Sequence, residues 1–306
     1  MRDAFAREMT SLAAERKDLT LLTGDIGNRM FDRFKEIAPE RFFNCGIAEA
    51  NMMSLSAGMA LSGLRPMIYT ITPFTTTRCL EQIRVGVAYH QAPVVIVGTG
   101  SGLSYSELGP THHSLEDIAI LRTLPGMNVV APADSSELVA QLRESLNISE
   151  PTYIRIGKKG EPALHCEKSH LGIGKANLLR DGTDLLVVGV GPILVEALHA
   201  ADALHAEGIS LAVASLGSIK PLDDVFLISM SERFHRWFSL EEHGITGGLG
   251  SALLEWFSER DGPHVDVKRL GTPDSFLHKL GNQSYTRRQL GLDTTGLMET
   301  FRKYIP

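Results

Sequence analysis

The sequence predicts an α/β protein built as two three-layer α/β units with mainly parallel sheets. Three observations lead there. Short apolar runs recur without clean alternation, as in Leu19-Thr20-Leu21-Leu22-Thr23 and Leu185-Leu186-Val187-Val188-Gly189-Val190, and such strands need cover on both faces. Between them lie stretches with apolar residues at helical spacing, so helix and strand alternate along the chain. The alternation stops after Gly157 and resumes near Asp181, in a chain whose 306 residues suit about two such units.

The first helix spans Arg2 to Arg16, where Phe5, Met9, Leu12 and Ala13 share a face. After the strand at 19–23 the pattern gives a helix at 48–62, a strand at 65–71 and a helix at 75–89. A strand at 94–98, a helix at 115–123, a strand at 127–131, a helix at 134–147 and a strand at 152–156 complete a first domain, residues 1–160. Residues 161–182 read as a linker, because Lys158-Lys159-Gly160-Glu161-Pro162 and the polar residues after it have no period. The second domain, 183–306, carries strands at 185–190, 210–214 and 236–240, helices at 194–207 and 248–257, and a closing helix from 294 to 304.

A net charge of −6 leaves no basic footprint for nucleic acid and no polybasic block for a membrane surface. Nowhere do 18 apolar residues run together, which excludes a spanning helix from the pattern. The start of the chain carries Asp3 and Glu8 and no long apolar run, unlike a secretory signal. Cys45, Cys79 and Cys166 are too few and too scattered for a disulfide framework or a zinc site, and read as reduced thiols of a cytoplasmic protein. No metal site is predicted within the chain.

Candidate chemistry centres on Phe42-Phe43-Asn44-Cys45-Gly46-Ile47-Ala48-Glu49-Ala50-Asn51. A Glu49 carboxylate facing the apolar helix that follows would have its charged form penalised and could hold or share a proton near neutral pH. As a first-turn carboxylate it would equally serve the helix dipole. Gly98-Thr99-Gly100-Ser101-Gly102 follows a strand but lacks the third glycine of a dinucleotide loop. The long loop it opens ends in Gly109-Pro110-Thr111-His112-His113-Ser114, where two adjacent histidines cannot both face one pocket. Phe74 opens the helix that carries Arg78, Glu81, Gln82 and Arg84, and by itself reads as a staple packing on that helix. Arg155, at the carboxyl end of a strand, can bind a phosphate or carboxylate bidentately or make a surface ion pair, and Asp25 at the end of the first strand has the same ambiguity. Glu241-Glu242-His243-Gly244 suggests a metal cluster only weakly, since neighbours on a strand point to opposite faces.

Taken in order, Gly46-Ile47-Ala48-Glu49-Ala50-Asn51, then Thr72-Pro73-Phe74 with Arg78 and Glu81-Gln82-Ile83-Arg84, then Gly109-Pro110-Thr111-His112, Pro125-Gly126-Met127 and Pro132-Ala133-Asp134 resemble the pyrimidine-binding domain of transketolase. Glu241-Glu242-His243 with Gly247-Gly248-Leu249-Gly250-Ser251 is similar to that family's carboxyl-terminal domain. The resemblance implies thiamine diphosphate as cofactor, with Glu49 bonded to N1′ of the aminopyrimidine and Phe74 stacked on that ring. Ile47 and Arg78 join them at the cofactor site by position. It also implies His112 as a catalytic residue contacting substrate oxygens, Arg155 as the holder of a sugar phosphate, and Asp25, Gly100 and Leu108 at the substrate.

Full-length members carry an earlier domain whose Gly-Asp-Gly motif binds the diphosphate through Mg²⁺. Here Gly24-Asp25-Ile26-Gly27 does not match it. The expectation is therefore the smaller subunit of a split transketolase, active only with a companion chain that brings the diphosphate and Mg²⁺ site, in a heterotetramer with two copies of each chain. Its substrate would be a sugar or sugar phosphate. Gly100 and Leu108 stand where family members use a histidine and an aspartate on the donor sugar, which argues for an unusual donor. The alternatives are half of a deoxyxylulose-phosphate-synthase-like or two-oxoacid dehydrogenase thiamine enzyme, or a non-catalytic regulatory subunit.

Overall fold

The computed structural model describes residues 1–27, 29–158, 160–279 and 281–304. Lys159, in the run that opens the expected linker, lies outside them. Six strands of the first sheet come in chain order as β1 (Leu19–Thr23), β2 (Phe42–Asn44), β3 (Arg65–Ile71), β4 (Val95–Thr99), β5 (Asn128–Val130) and β6 (Thr152–Ile156). The second sheet starts with β7 (Asn177–Arg180), β8 (Leu185–Gly189) and β9 (Leu211–Ser215). Strand β10 (Ser218–Lys220) then crosses to the edge of the first sheet, and β11 (Arg236–Gly244) and β12 (Asp266–Thr272) complete the second. The orders are β10-β5-β6-β4-β3-β1-β2 and β12-β11-β8-β9-β7. Neighbours run parallel except β10 on β5 and β7 on β9. The fold is thus two α/β units with mainly parallel sheets, as the uninterrupted apolar strands require.

The helices are α1 (Arg2–Glu15), α2 (Asp32–Ile37), α3 (Glu49–Leu61), α4 (Thr72–Thr75), α5 (Asp117–Arg122), α6 (Ser135–Ser145), α7 (Leu194–His205), α8 (Asp224–Arg233), α9 (Leu249–Ser258), α10 (Gln283–Gln289) and α11 (Thr294–Arg302). Alternate strand residues feed different cores, as a period of two demands. Leu21, Met67, Val95 and Ile154 pack with Phe5, Met9 and Leu12 of α1 and Leu138 and Leu142 of α6. Leu22, Ile68 and Ile96 face the other way, onto Met52, Met53 and Ala57 of α3, in a core that continues to Leu186, Val188 and Trp237 of the second sheet. A third core sets Val187, Val213 and Phe238 against α7 and α11. Burying each such side chain contributes about 1.5–3 kcal/mol.

Two departures from the expected pattern matter. The helix expected at 75–89 is broken: α4 ends at Thr75, a tight turn holds Thr77–Cys79, and a π-helical segment follows at Gln82–Tyr89. Threonine hydroxyls explain the break, because Thr75 and Thr76 donate to the Thr72 carbonyl at 3.0 and 2.7 Å and Thr77 to that of Pro73 at 3.0 Å, bonds that compete with a regular helix. Residues 177–180, inside the stretch expected as linker, form β7. It is an edge strand paired on one side only, so it needs no run of apolar residues. Among the described residues no helix is long and apolar enough to cross a membrane.

Candidate active site

Every candidate residue of the first sheet sits at the carboxyl ends of its parallel strands, the edge where open α/β sheets bind ligands. Asn44, closing β2, ties that edge together: its amide donates to Asp25 Oδ1 at 2.9 Å, and its Oδ1 accepts from the backbone N–H of Asp25 at 3.2 Å and of Gly46 at 3.0 Å. Gly46 then turns the chain with φ +68° into α3, whose first residue is Glu49. Glu49 is only 3% exposed. A Cβ at Gly24 would lie 3.3 Å from Glu49 Cγ and 3.2 Å from Thr70 Oγ1, so the glycine keeps the wall beside the carboxylate thin.

The break after α4 turns Arg78 back toward this carboxylate. Its Nη1 donates to Glu49 Oε1 at 2.9 Å, while its guanidinium carbon lies 3.9 Å from the centre of the Phe74 ring. One planar cation thus bridges a buried carboxylate and an aromatic face, a strong arrangement for a delocalised charge. Next to it, Cys79 is pushed up to about 12 by burial and by the charge of Glu49, which makes it a packed thiol and no nucleophile.

His112 meets Phe74 edge to face at 5.3 Å and Tyr105 at 6.1 Å. Burial, followed by the charges of Arg78 and His113, lowers its pKa below the ordinary value, so the ring is neutral at neutral pH. His113 turns away and bonds the Ser106 carbonyl through Nε2 at 3.0 Å. Only one of the two histidines therefore belongs to the site.

Residues 1–161 match the family model "Transketolase, pyrimidine binding domain" and residues 174–294 match "Transketolase, C-terminal domain". The chain belongs to the transketolase family. It is 36% identical to an apulose-4-phosphate transketolase subunit of Phocaeicola vulgatus, across 99% of this chain and 97% of that one. It is 32% identical to "6-deoxy-6-sulfo-D-fructose transketolase subunit SqwH" of Clostridium sp., across 95% and 90%. A solved structure described as a split gene transketolase, inactive beta4 tetramer, superposes with a TM-score of 0.87 at 31% identity, covering 99% of this chain and 96% of that one.

The chemistry of a thiamine aminopyrimidine, a planar ring that presents a proton to a carboxylate and a face to an aromatic, fits Glu49 and Phe74. The planar guanidinium of Arg78 stands between them in this structure. Among the described residues no group of three or more His, Cys, Asp or Glu side chains is placed to hold a metal ion.

Other transketolase-like positions change meaning in three dimensions. Arg155, expected to hold a sugar phosphate, is 2% exposed and spends two of its three nitrogens inside the protein. Its Nε donates to Asp117 Oδ2 at 2.7 Å, and its Nη2 to the carbonyls of Ser114 at 2.7 Å and Glu242 at 2.8 Å. Burial raises the pKa of Asp117, but the Arg155 charge and hydrogen bonds from Arg155 and Tyr153 outweigh it and hold the carboxyl below its usual range. Arg155 is thus a clasp between the two sheets. Asp25, with φ 53°, is exposed and bound to Asn44, and Ile47 is 81% exposed beside the turn into α3. Leu108 is half exposed on the loop that carries His112.

Gly100 has φ +77°, and an added Cβ would overlap the Tyr105 ring. Tyr105, flanked by Lys158 at 4.6 Å from its ring centre, fills the space that a side chain at 100 would need. The sequence reading missed it, although an aromatic inside a glycine-rich loop was the available signal. Gly100→His should therefore strain the loop by about 1–3 kcal/mol instead of restoring a donor contact, read as a lower urea midpoint; an unchanged midpoint would show that the loop accepts histidine.

The Glu241-Glu242-His243 run is buried and splits three ways. Glu241 accepts from the N–H groups of Leu249 and Gly250 at the start of α9, at 2.7 and 3.0 Å. His243 donates from Nδ1 to the Gly244 carbonyl and accepts at Nε2 from the Ala119 N–H at 3.3 Å, across to α5. Glu242 reaches the loop of His112 and helix α10. These are structural bonds, and they converge on no common ligand.

Proposed function

We propose that this chain is the pyrimidine-side subunit of a split transketolase, moving a two-carbon ketol unit between sugars or sugar phosphates in the cytoplasm. The observation that carries the reading is Glu49, buried to 3% exposure and bridged to the Phe74 face by Arg78. Bound thiamine diphosphate supplies the electron sink for carbon–carbon cleavage. Glu49 would bond N1′ of the aminopyrimidine from its buried place in the first turn of α3. Phe74 orients the ring by stacking, and Ile47 covers it. Arg78, which lies over the Phe74 ring, would leave that face for the pyrimidine to stack there. His112, neutral, hydrogen-bonds substrate oxygens.

A companion chain supplies the diphosphate and Mg²⁺ site in an assembly with two copies of each chain. The Phocaeicola relative, named as one subunit of its transketolase, and the split-gene relative described as inactive in a beta4 tetramer support this division. Gly100, closed by Tyr105, and the apolar Leu108 lack the histidine and aspartate that family members use on the donor sugar. Relatives named for apulose 4-phosphate and 6-deoxy-6-sulfo-D-fructose support a donor outside the common pentose phosphates.

Calorimetry tests the division of the site. The chain alone should show no micromolar binding of thiamine diphosphate with Mg²⁺, and the complex with a companion bearing the Gly-Asp-Gly motif should bind it. Micromolar binding to the isolated chain would contradict a split site. Release of carbon dioxide from pyruvate by the complex would move the assignment to a synthase or dehydrogenase.

A further inference from the structure

The loop between β4 and α5 carries Tyr105, Leu108 and His112 and is long for a connection in a parallel sheet, so its position depends on what anchors it. Some anchors are local: the Ser101 N–H bonds the Ile156 carbonyl at 3.0 Å, and that of Ser114 bonds the Gly102 carbonyl at 3.1 Å. Arg155 on the Ser114 carbonyl and Lys158 on Glu107 at 3.4 Å add side-chain anchors from the first unit, and two more come from the second. Glu242 Oε2 accepts from the Leu103 N–H at 3.3 Å, and the Ser106 and Thr286 hydroxyls lie 2.5 Å apart, with Ser106 fully buried.

The two from the second unit are governed by α10. Gln283 donates to both oxygens of Glu242, at 3.1 and 2.9 Å, and Arg287 Nε donates to Glu242 Oε1. Residues 283, 286 and 287 stand at i, i+3 and i+4, one face of the helix. Arg287 is 7% exposed and also donates to Glu196 Oε1 of α7 at 3.1 Å, so the clamp is tied into the body of the second unit. On the loop side, Gly102 has φ +60°, and an added Cβ would come within 2.5 Å of Glu242 Cβ. The loop therefore lies on β11 in contact too close for any side chain at 102. Buried charge-assisted bonds of this kind have one geometry and little slack.

We infer that α10 positions the His112 loop, with Arg287 acting through Glu242 and Thr286 acting through Ser106 as positioning residues for the substrate side of the site. The carboxyl-terminal unit thereby holds a loop of the pyrimidine-side unit against Phe74. The consequence for turnover rests on the reading of His112 as a substrate contact, while the consequence for the loop does not.

Histidine NMR of the full chain reads the loop directly, with His112 assigned by a His112→Gln control. The groups facing His112 are Arg78, from the turn after α4, and Thr111, Tyr105 and His113 from its own loop. In Thr286→Val and in Arg287→Lys the His112 titration should rise toward the ordinary value near ~6.5, because a loosened loop exposes the ring and separates it from Arg78. Thr286→Ser should return it to the wild-type position. In the reconstituted complex the same variants should raise KM for the ketose donor about ten-fold, the loss of roughly one buried hydrogen bond, with thiamine diphosphate affinity unchanged. An unmoved His112 titration in Thr286→Val, which keeps size and removes only the hydroxyl, overturns the inference even if Arg287→Lys fails to fold. A moved titration with an unmoved KM upholds the clamp and overturns the substrate role of His112.

Discussion

Glu49→Gln should leave the reconstituted complex assembled and reduce its turnover by about 10²–10⁴-fold, the usual worth of a positioned proton-transfer group. Glutamine keeps the shape and an acceptor oxygen but cannot take or share a proton, so the change isolates that property. Folding should be unharmed for a physical reason. Glu49 is 3% exposed, and removing its charge relieves a desolvation penalty. What is lost is an ion pair to Arg78, whose side chain is 44% exposed, so solvent screens the pair and its contribution is small. Steady-state rates with gel filtration of the complex make the check. Near-normal turnover would sink the assignment of Glu49, and loss of assembly would assign it to the interface instead.

Arg155→Met should lower stability by about 3–5 kcal/mol, the penalty for leaving a buried charge without its partner. Asp117 is 2% exposed and would lose the charge that keeps it ionised, and the carbonyls of Ser114 and Glu242 would lose their donor. Urea unfolding measures this as a fall in midpoint. The double variant Arg155→Met with Asp117→Leu should recover much of it, because no buried charge is stranded. The pH dependence has a definite sign. Asp117 is held below its usual range in the fold, so its contribution is complete above the unfolded value near ~3.9. It is lost as pH falls below that value through the depressed folded one. An unchanged midpoint would overturn the clasp, and a KM raised for phosphorylated sugars alone would place Arg155 at the substrate as well.

Five strands of the first sheet, β1 and β3 to β6, and the helix after Glu49 were legible because each depends on a local run of apolar residues. The turn at Arg78 was not, since it arises where threonine hydroxyls outcompete the helix that composition favours. Strands β2, β7, β10 and β12 escaped for a related reason. The first is a three-residue edge strand, and the others lie at sheet edges, where a single neighbour satisfies the backbone without a long apolar run.

By itself, the sequence determined the α/β class and the order of the motifs, whose resemblance to transketolase singles out Glu49, Phe74 and His112, because both are carried by local runs of residues. The tertiary structure alone decided what each polar group touches. Asp117 and Glu242 lie far from Arg155 in the chain, yet they take its Nε and Nη2 donors and make it a clasp between the sheets. Tyr105 closes the space at Gly100. Arg78 joins Glu49 to Phe74. Hydrogen bonds and ion pairs act over about 3 Å in space whatever the separation in sequence, so only the folded chain shows which groups remain free for a ligand.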